Sequence, residues 1–157
     1  MILYHGTNKD FGEIDLEKSK PNKDFGRGFY LSKNYSQAMD MAKIKVEQLN
    51  CGSPVVLSFE IDERLMNKLN LLQFDDYNED WAKFILQNRN NATDKQAHDY
   101  DVVIGPIAND RVGVQLWKYE THSIDMPTLI NNLRFMKGIT IQYFFGTERA
   151  IKLLKRI

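Results

Sequence analysis

Asp24-Phe25-Gly26-Arg27-Gly28-Phe29-Tyr30-Leu31-Ser32 sets two glycines directly before a short aromatic strand. Glycine at such a place permits φ > 0 or lets a ligand approach the backbone closely. Working outward, Tyr35, Ala38, Met39, Ala42, Val46 and Leu49 recur at three- and four-residue spacing after Asn34. That period predicts an amphipathic helix ending at Asn50-Cys51-Gly52. On the other side, Phe11 to Lys23 is polar, and Met1 to Tyr4 is a short apolar strand running into His5-Gly6-Thr7. A histidine is thereby set at a strand end beside a glycine, a position where a rigid scaffold presents chemistry.

Downstream, Val55, Leu57, Phe59 and Ile61 alternate with mostly polar partners, the period of a half-buried strand, and Asp62 is placed to cap a short helix. Asn and Asp are dense between Phe74 and Asp101, which reads as a polar insertion around one helix from about Asn78 to Arg89 carrying Trp81, Phe84 and Ile85. Asp101 to Pro106 predicts a strand stopped by a turn, with Asp101, Asn109 and Asp110 forming an acidic loop around it, and Pro127 suits the first residue of a helix reaching about Met136. The last strand, Ile139 to Phe145, alternates so that Gln142 faces away from the isoleucines. Thr147 is expected to cap a closing helix with Ala150, Leu153, Leu154 and Ile157 as its buried stripe and Lys152, Lys155 and Arg156 at its cationic end.

The chain has 157 residues, 43% of them hydrophobic and 27% charged, which is ordinary globular composition for one α+β domain, 1–157. Lys and Arg total 21, as do Asp and Glu, so no global field draws the protein to nucleic acid or a membrane surface. Apolar runs are short and the N-terminus lacks a signal pattern, so a cytoplasmic protein without membrane attachment is expected. Cys51 is the one cysteine and reads as an idle loop thiol. His5, His98 and His122 lack ligand spacing, so no metal site is expected, and Gly26-Arg27-Gly28 precedes a strand rather than opening a helix, which excludes a Rossmann fingerprint.

Neither His5-Gly6-Thr7 nor the glycine-aromatic stretch says much alone. Together, followed by a helix and by a late strand carrying Gln142, they resemble the NAD-binding core of the ADP-ribosyltransferase superfamily, in the branch of the poly(ADP-ribose) polymerases and diphtheria toxin. That branch carries His-Gly-Ser/Thr, Gly-x-Gly-hydrophobic-Tyr and a late-strand glutamate or its substitute. The chain is more closely similar to a group of bacterial proteins catalogued as DUF3990, through Asp24 to Tyr30, Trp81 to Arg89, Asp101 to Asp110 and Gln142 to Ala150.

The resemblance implies a split β-sheet core with flanking helices and a set of roles. His5 would hydrogen-bond the adenosine ribose, the Gly6 backbone would pair with the nicotinamide carboxamide, and Tyr30 would stack on the cationic ring. Thr7 and Gly28 belong to the same two motifs, and Arg27 is the phosphate candidate ahead of Asn88-Arg89. Gln142 would hold the nicotinamide-side ribose, with Glu148 as the rival for that place, and Met41 stands where some polymerases carry a second stacking tyrosine. The implied activity is mono-ADP-ribosyl transfer from NAD⁺ to a protein or nucleic acid, in a toxin countered by an antitoxin. The alternatives are NAD⁺ glycohydrolysis, or a module that holds NAD⁺ or ADP-ribose without chemistry.

Overall fold

In the computed structural model, which describes residues 1–136 and 138–157, the alternating segments become strands β1 (Ile2–Thr7), β2 (Phe29–Ser32), β3 (Val55–Glu60), β4 (Leu71–Gln73), β5 (Val102–Pro106), β6 (Ile141–Phe145) and β7 (Lys155–Arg156). They join in one seven-stranded sheet of order β4-β5-β6-β2-β1-β3-β7, antiparallel except for the β4–β5 pair. The helices are α1 (Tyr35–Leu49), α2 (Glu63–Met66), α3 (Glu79–Arg89), α4 (Asp110–Glu120), α5 (Met126–Arg134) and α6 (Glu148–Ile151). The architecture is α+β, a mixed sheet with helices flanking it.

Strand period two sorts side chains onto the two faces. Val103 and Phe144 join Trp81, Ile85, Val112, Leu116, Leu129 and Leu133 in a core between one face and helices α3, α4 and α5. Leu3, Leu31, Leu57, Phe59, Val102, Tyr143 and Phe145 face the other way, against Ile61, Met66 and Ala150. Gln142 shares the face of Phe144, opposite to Ile141, as alternation predicts.

Local capping chemistry starts the helices where the sequence suggests. Asn34, Asp62, Asn78 and Asp125 each accept a backbone N–H of the following turn, and Pro127 sits in the first turn of α5. The Asn- and Asp-rich insertion is no appendage: α3 buries Trp81, Ala82, Phe84, Ile85 and Leu86, and the Trp81 indole N–H donates to the Pro106 carbonyl at 3.1 Å. The expected acidic loop is instead a helix start, with Asn109 capping α4 through the Val112 N–H.

The chain end corrects one expectation. Thr147 does cap a helix, but α6 ends at Ile151, and Lys155–Arg156 pair with β3 as an edge strand, leaving Ile157 exposed. An unpaired outer edge of β3 offers a row of backbone donors and acceptors, and satisfying it outweighs continuing a short helix. Lys155 lies opposite Glu60 and Arg156 pairs with Asp10 at 2.6 Å, so these cations serve the edge rather than a helix dipole.

Candidate functional site

The site begins with how β1 pairs on its two sides. Met1 exchanges backbone hydrogen bonds with Ile61, and the β1–β3 ladder runs without interruption from Ile2↔Glu60 to Thr7↔Val55. Antiparallel pairs alternate between hydrogen-bonded and non-hydrogen-bonded, so Leu3, His5 and Thr7 turn their backbone groups to β3, while Tyr4 and Gly6 turn theirs to β2. Tyr4 meets Ser32 there, and the β1–β2 pairing stops. The two strands part beyond it, and the Gly6 N–H and C=O are directed into the opening.

The His5 imidazole holds the parting in place. Its Nδ1 lies 2.8 Å from the Tyr30 carbonyl, the acceptor that a continued ladder would have given to β1. A carbonyl only accepts, so Nδ1 carries the hydrogen and Nε2 of the neutral ring is an acceptor. The ring packs on Phe29 with centroids 4.2 Å apart and meets Phe11 edge-on. Burial, the largest influence, pushes the His5 pKa down to about 4; the Tyr30 hydrogen bond opposes this, and Lys45 and Lys23 reinforce it. The imidazole is therefore neutral at physiological pH.

This has a testable sign. His5 titrates near 6.5 when unfolded and about 4 when folded, so the unfolded chain binds more protons between those values and stability falls as pH drops through that window. Melting curves from pH 7 to 4 are expected to show this decline, and His5→Gln to flatten part of it; His98, also lowered chiefly by burial, accounts for a further part. An unchanged pH slope in His5→Gln would show that the imidazole is not held neutral.

Tyr30 points to the other side of the sheet from His5. Its hydroxyl donates to the Gly26 carbonyl at 2.6 Å and accepts from the Phe25 N–H at 3.1 Å, which fixes the ring edge-on to Phe144 at 5.3 Å. The Lys23 ammonium sits over the ring, 5.2 Å from its centroid. Burial drives the Tyr30 phenol well above its ordinary pKa, so it remains protonated. The loop it anchors is clamped further: the Gln96 amide bonds both backbone groups of Arg27, His98 bonds the Phe25 carbonyl, and Arg89 pairs with Asp24 at 2.7 Å. Gly26 adopts φ +87°, which a side chain disfavours.

Gln142 stands directly across from Ser32, two residues along from the Tyr30 row. Tyr30 and Gln142 thus share a face as diagonal neighbours, about 7 Å apart at Cβ. Gln142 is 9% exposed and, among the described residues, its buried Nε2 has no hydrogen-bond partner, whereas the adjacent Ser32 hydroxyl donates to Gln37. A buried amide left unpaired costs about 1–3 kcal/mol, so a native structure that keeps one has a reason to. Glu148 is exposed in the first turn of α6, beyond the end of β6, and is not brought to this face.

Residues 1–156 of the 157 match the family model described as protein of unknown function, DUF3990. The protein belongs to the DUF3990 family. No curated protein matches it. In this DUF3990 chain the two motif glycines have internal packing reasons. A Cβ on Gly6 would stand 1.9 Å from the Ala38 carbonyl oxygen of α1, and one on Gly28 would enter the Phe144 ring. Gly6→Ala is expected to lower stability by about 2 kcal/mol, the usual scale of overpacking, in chemical denaturation. A wild-type midpoint in that variant would mean that α1 does not press on β1 there.

The remaining candidates are placed as follows. Thr7 is buried at the end of β1. Arg27 is engaged by Glu17, with its Nε buried and unpartnered, and Arg89 is engaged by Asp24, so neither guanidinium projects freely toward the β1–β2 opening. Met41 is exposed on α1, and Cys51 is an exposed free thiol. A cavity of about 560 Å³ lined by Leu16, Glu17, Arg27, Asp94, Gln96 and Gly146 shares only Arg27 with the candidates, and its two carboxylates make it a poor receptor for an anionic dinucleotide. Among the described residues there is no cluster of three or more potential metal ligands and no helix long and apolar enough to cross a membrane. Sequence reasoning passed over Lys23 and Gln96 and weighed His98 only as a metal ligand; the contacts of all three are made between distant segments.

Proposed function

We propose that the protein is an NAD⁺-dependent mono-ADP-ribosyltransferase built on an ADP-ribosyltransferase-like split sheet. The observation that carries this reading is the end of the β1–β2 pairing at Tyr4↔Ser32, beyond which one donor and one acceptor of Gly6 remain on the edge of β1 that faces the Tyr30 strand. A carboxamide offers the matching acceptor and donor, and nicotinamide is a carboxamide on a ring able to stack on Tyr30. The neutral His5 Nε2 suits a ribose hydroxyl as donor, and the Gln142 N–H suits a ribose oxygen as acceptor.

The chemistry follows from these contacts. The bond between the anomeric carbon and the nicotinamide nitrogen breaks, its electron pair leaves with nicotinamide, and the ribose passes through an oxocarbenium-like state. The acceptor nucleophile then bonds the anomeric carbon and releases its proton to solvent. Contacts that orient the ribose and strengthen as positive charge develops raise the rate. An amide cannot act as a base toward a hydroxyl, so the acceptor is intrinsically nucleophilic or is activated by another group, which favours one transfer per site over chain growth. Without an acceptor, water takes its place and the protein hydrolyses NAD⁺ slowly. On this reading the protein is a cytoplasmic toxin whose acceptor is a protein or nucleic acid and whose partner is an antitoxin.

Calorimetry is expected to show NAD⁺ binding, weakened by about 1–2 kcal/mol in Tyr30→Ala, the scale of a desolvated ring contact. Label from NAD⁺ incubated with lysate should enter macromolecules as single ADP-ribose units. No binding at millimolar NAD⁺ would remove the reading's main support, and a polymer ladder would overturn its mono-transfer form.

A further inference from the structure

We propose that Lys23 and Lys45, with Lys9 and Lys20 beside them, form a receptor for a diphosphate group at the mouth of the β1–β2 opening. On the dinucleotide reading, on which this identification of the ligand rests, that group is the pyrophosphate of NAD⁺. Three chain segments bring these lysines together. Lys9 follows the end of β1, Lys20 and Lys23 lie on the segment entering β2, and Lys45 is on α1, one turn beyond the Ala42 that packs on Gly6.

The lysines lack acidic partners for a specific reason. Among the described residues, three of the carboxylates on the same segments are engaged by arginines, Asp10 by Arg156, Glu17 by Arg27 and Asp24 by Arg89, and Asp40 pairs with Lys43 instead. Asp15 is spent on capping the Glu17 N–H. Among the described residues none of the four ammonium groups forms an ion pair. They are near enough to repel one another. Burial and then Lys45 and Lys20 push the Lys23 pKa down against a smaller pull from Asp24, and burial and then Lys9 push Lys45 down. Like charges gathered without counterions at one opening are relieved by a multivalent anion, and a diphosphate bridges several ammonium groups at once.

Lys23 has a second part in this arrangement. Its ammonium rests over the Tyr30 ring, the surface on which a cationic pyridinium would stack. A diphosphate arriving between Lys23 and Lys45 offers that ammonium a stronger partner than an aromatic face, so binding the phosphates frees Tyr30 for the ring. The order of contacts is phosphates first, ring second.

Titration calorimetry with inorganic pyrophosphate, ADP-ribose, nicotinamide and a short single-stranded oligonucleotide separates the possibilities. Lys23→Ala and Lys45→Ala are each expected to weaken pyrophosphate and ADP-ribose about tenfold, the scale of one charge-assisted hydrogen bond, while Lys45→Arg stays near wild type. Nicotinamide should bind Lys45→Ala as it binds wild type and Lys23→Ala at least as tightly. Unchanged pyrophosphate and ADP-ribose affinity in both alanine variants overturns the receptor, as does lysine dependence seen for the oligonucleotide alone. Lysine-dependent binding of pyrophosphate with no binding of nicotinamide supports the diphosphate receptor and overturns the NAD⁺ reading.

Discussion

Gln142→Ala is expected to lower NAD⁺ turnover roughly 100-fold while leaving the thermal midpoint nearly unchanged, the pattern of losing one pre-organised contact to a transition state. The stability half of this expectation comes from the unpartnered amide. Among the described residues the buried Gln142 Nε2 has no hydrogen-bond partner, so truncation removes packing atoms and an unsatisfied donor together, and the two changes oppose each other. The activity half follows from position, since Gln142 lies on the Tyr30 face of the sheet interior, held by β2 on one side and β5 on the other. Glu148→Ala, at the exposed start of α6, is expected to cost a few tenths of a kcal/mol and little activity. Paired turnover and melting measurements decide the matter. A large rate loss in Glu148→Ala with none in Gln142→Ala would move the third catalytic group to the helix.

The largest stability effect is expected at Asp101, whose carboxylate is fully buried. It accepts from the Thr147 hydroxyl at 2.6 Å, from Arg149 at 2.7 and 2.6 Å and from the Asn70 N–H at 2.9 Å, while its backbone carbonyl accepts from Gly146. One residue thus ties β4, the start of β5 and the end of β6 together. Asp101→Ala leaves the Thr147 and Asn70 donors without their acceptor. Arg149 is mostly exposed and regains water, which places the cost at the low end of the range for a broken buried pair, about 3 kcal/mol. At this chain length that is roughly 6–12 °C in Tm. Urea unfolding at pH 7 measures it directly, and a loss below about 1 kcal/mol would show that the network is not cooperative.

The same carboxylate makes stability sensitive to acid. Burial pushes its pKa up, but the hydrogen bonds from Arg149, Thr147 and Asn70 outweigh burial and hold it below its ordinary value of 3.8. A folded pKa below the unfolded one means that its contribution is complete above about pH 4 and is lost as pH falls through the folded value. In Asp101→Asn that acid-dependent part is expected to disappear.

What the sequence by itself determined is what depends on neighbours within a turn or a strand. The spacing of Tyr35, Ala38 and Ala42, the caps Asp62 and Thr147, and the alternation through Val55 to Ile61 and through Gln142 are local, and each appears in the fold where its chemistry places it. Helix α4 escaped because Val112 and Leu116 are its only buried residues, too sparse a stripe to read beside Gly113 and an exposed Trp117. The candidate site was legible as residue types, since His5, Gly6, Tyr30 and Gln142 stand on adjoining strands. Their relation was not. Only the tertiary structure decided that the His5 imidazole takes the Tyr30 carbonyl from the ladder and so opens the sheet at Gly6. It also decided that Lys155–Arg156 complete an edge instead of a helix, and that arginines from distant segments claim the acids near the four lysines. A backbone group or charge accepts whichever partner the assembled fold brings within reach, and that choice is made between residues far apart in sequence.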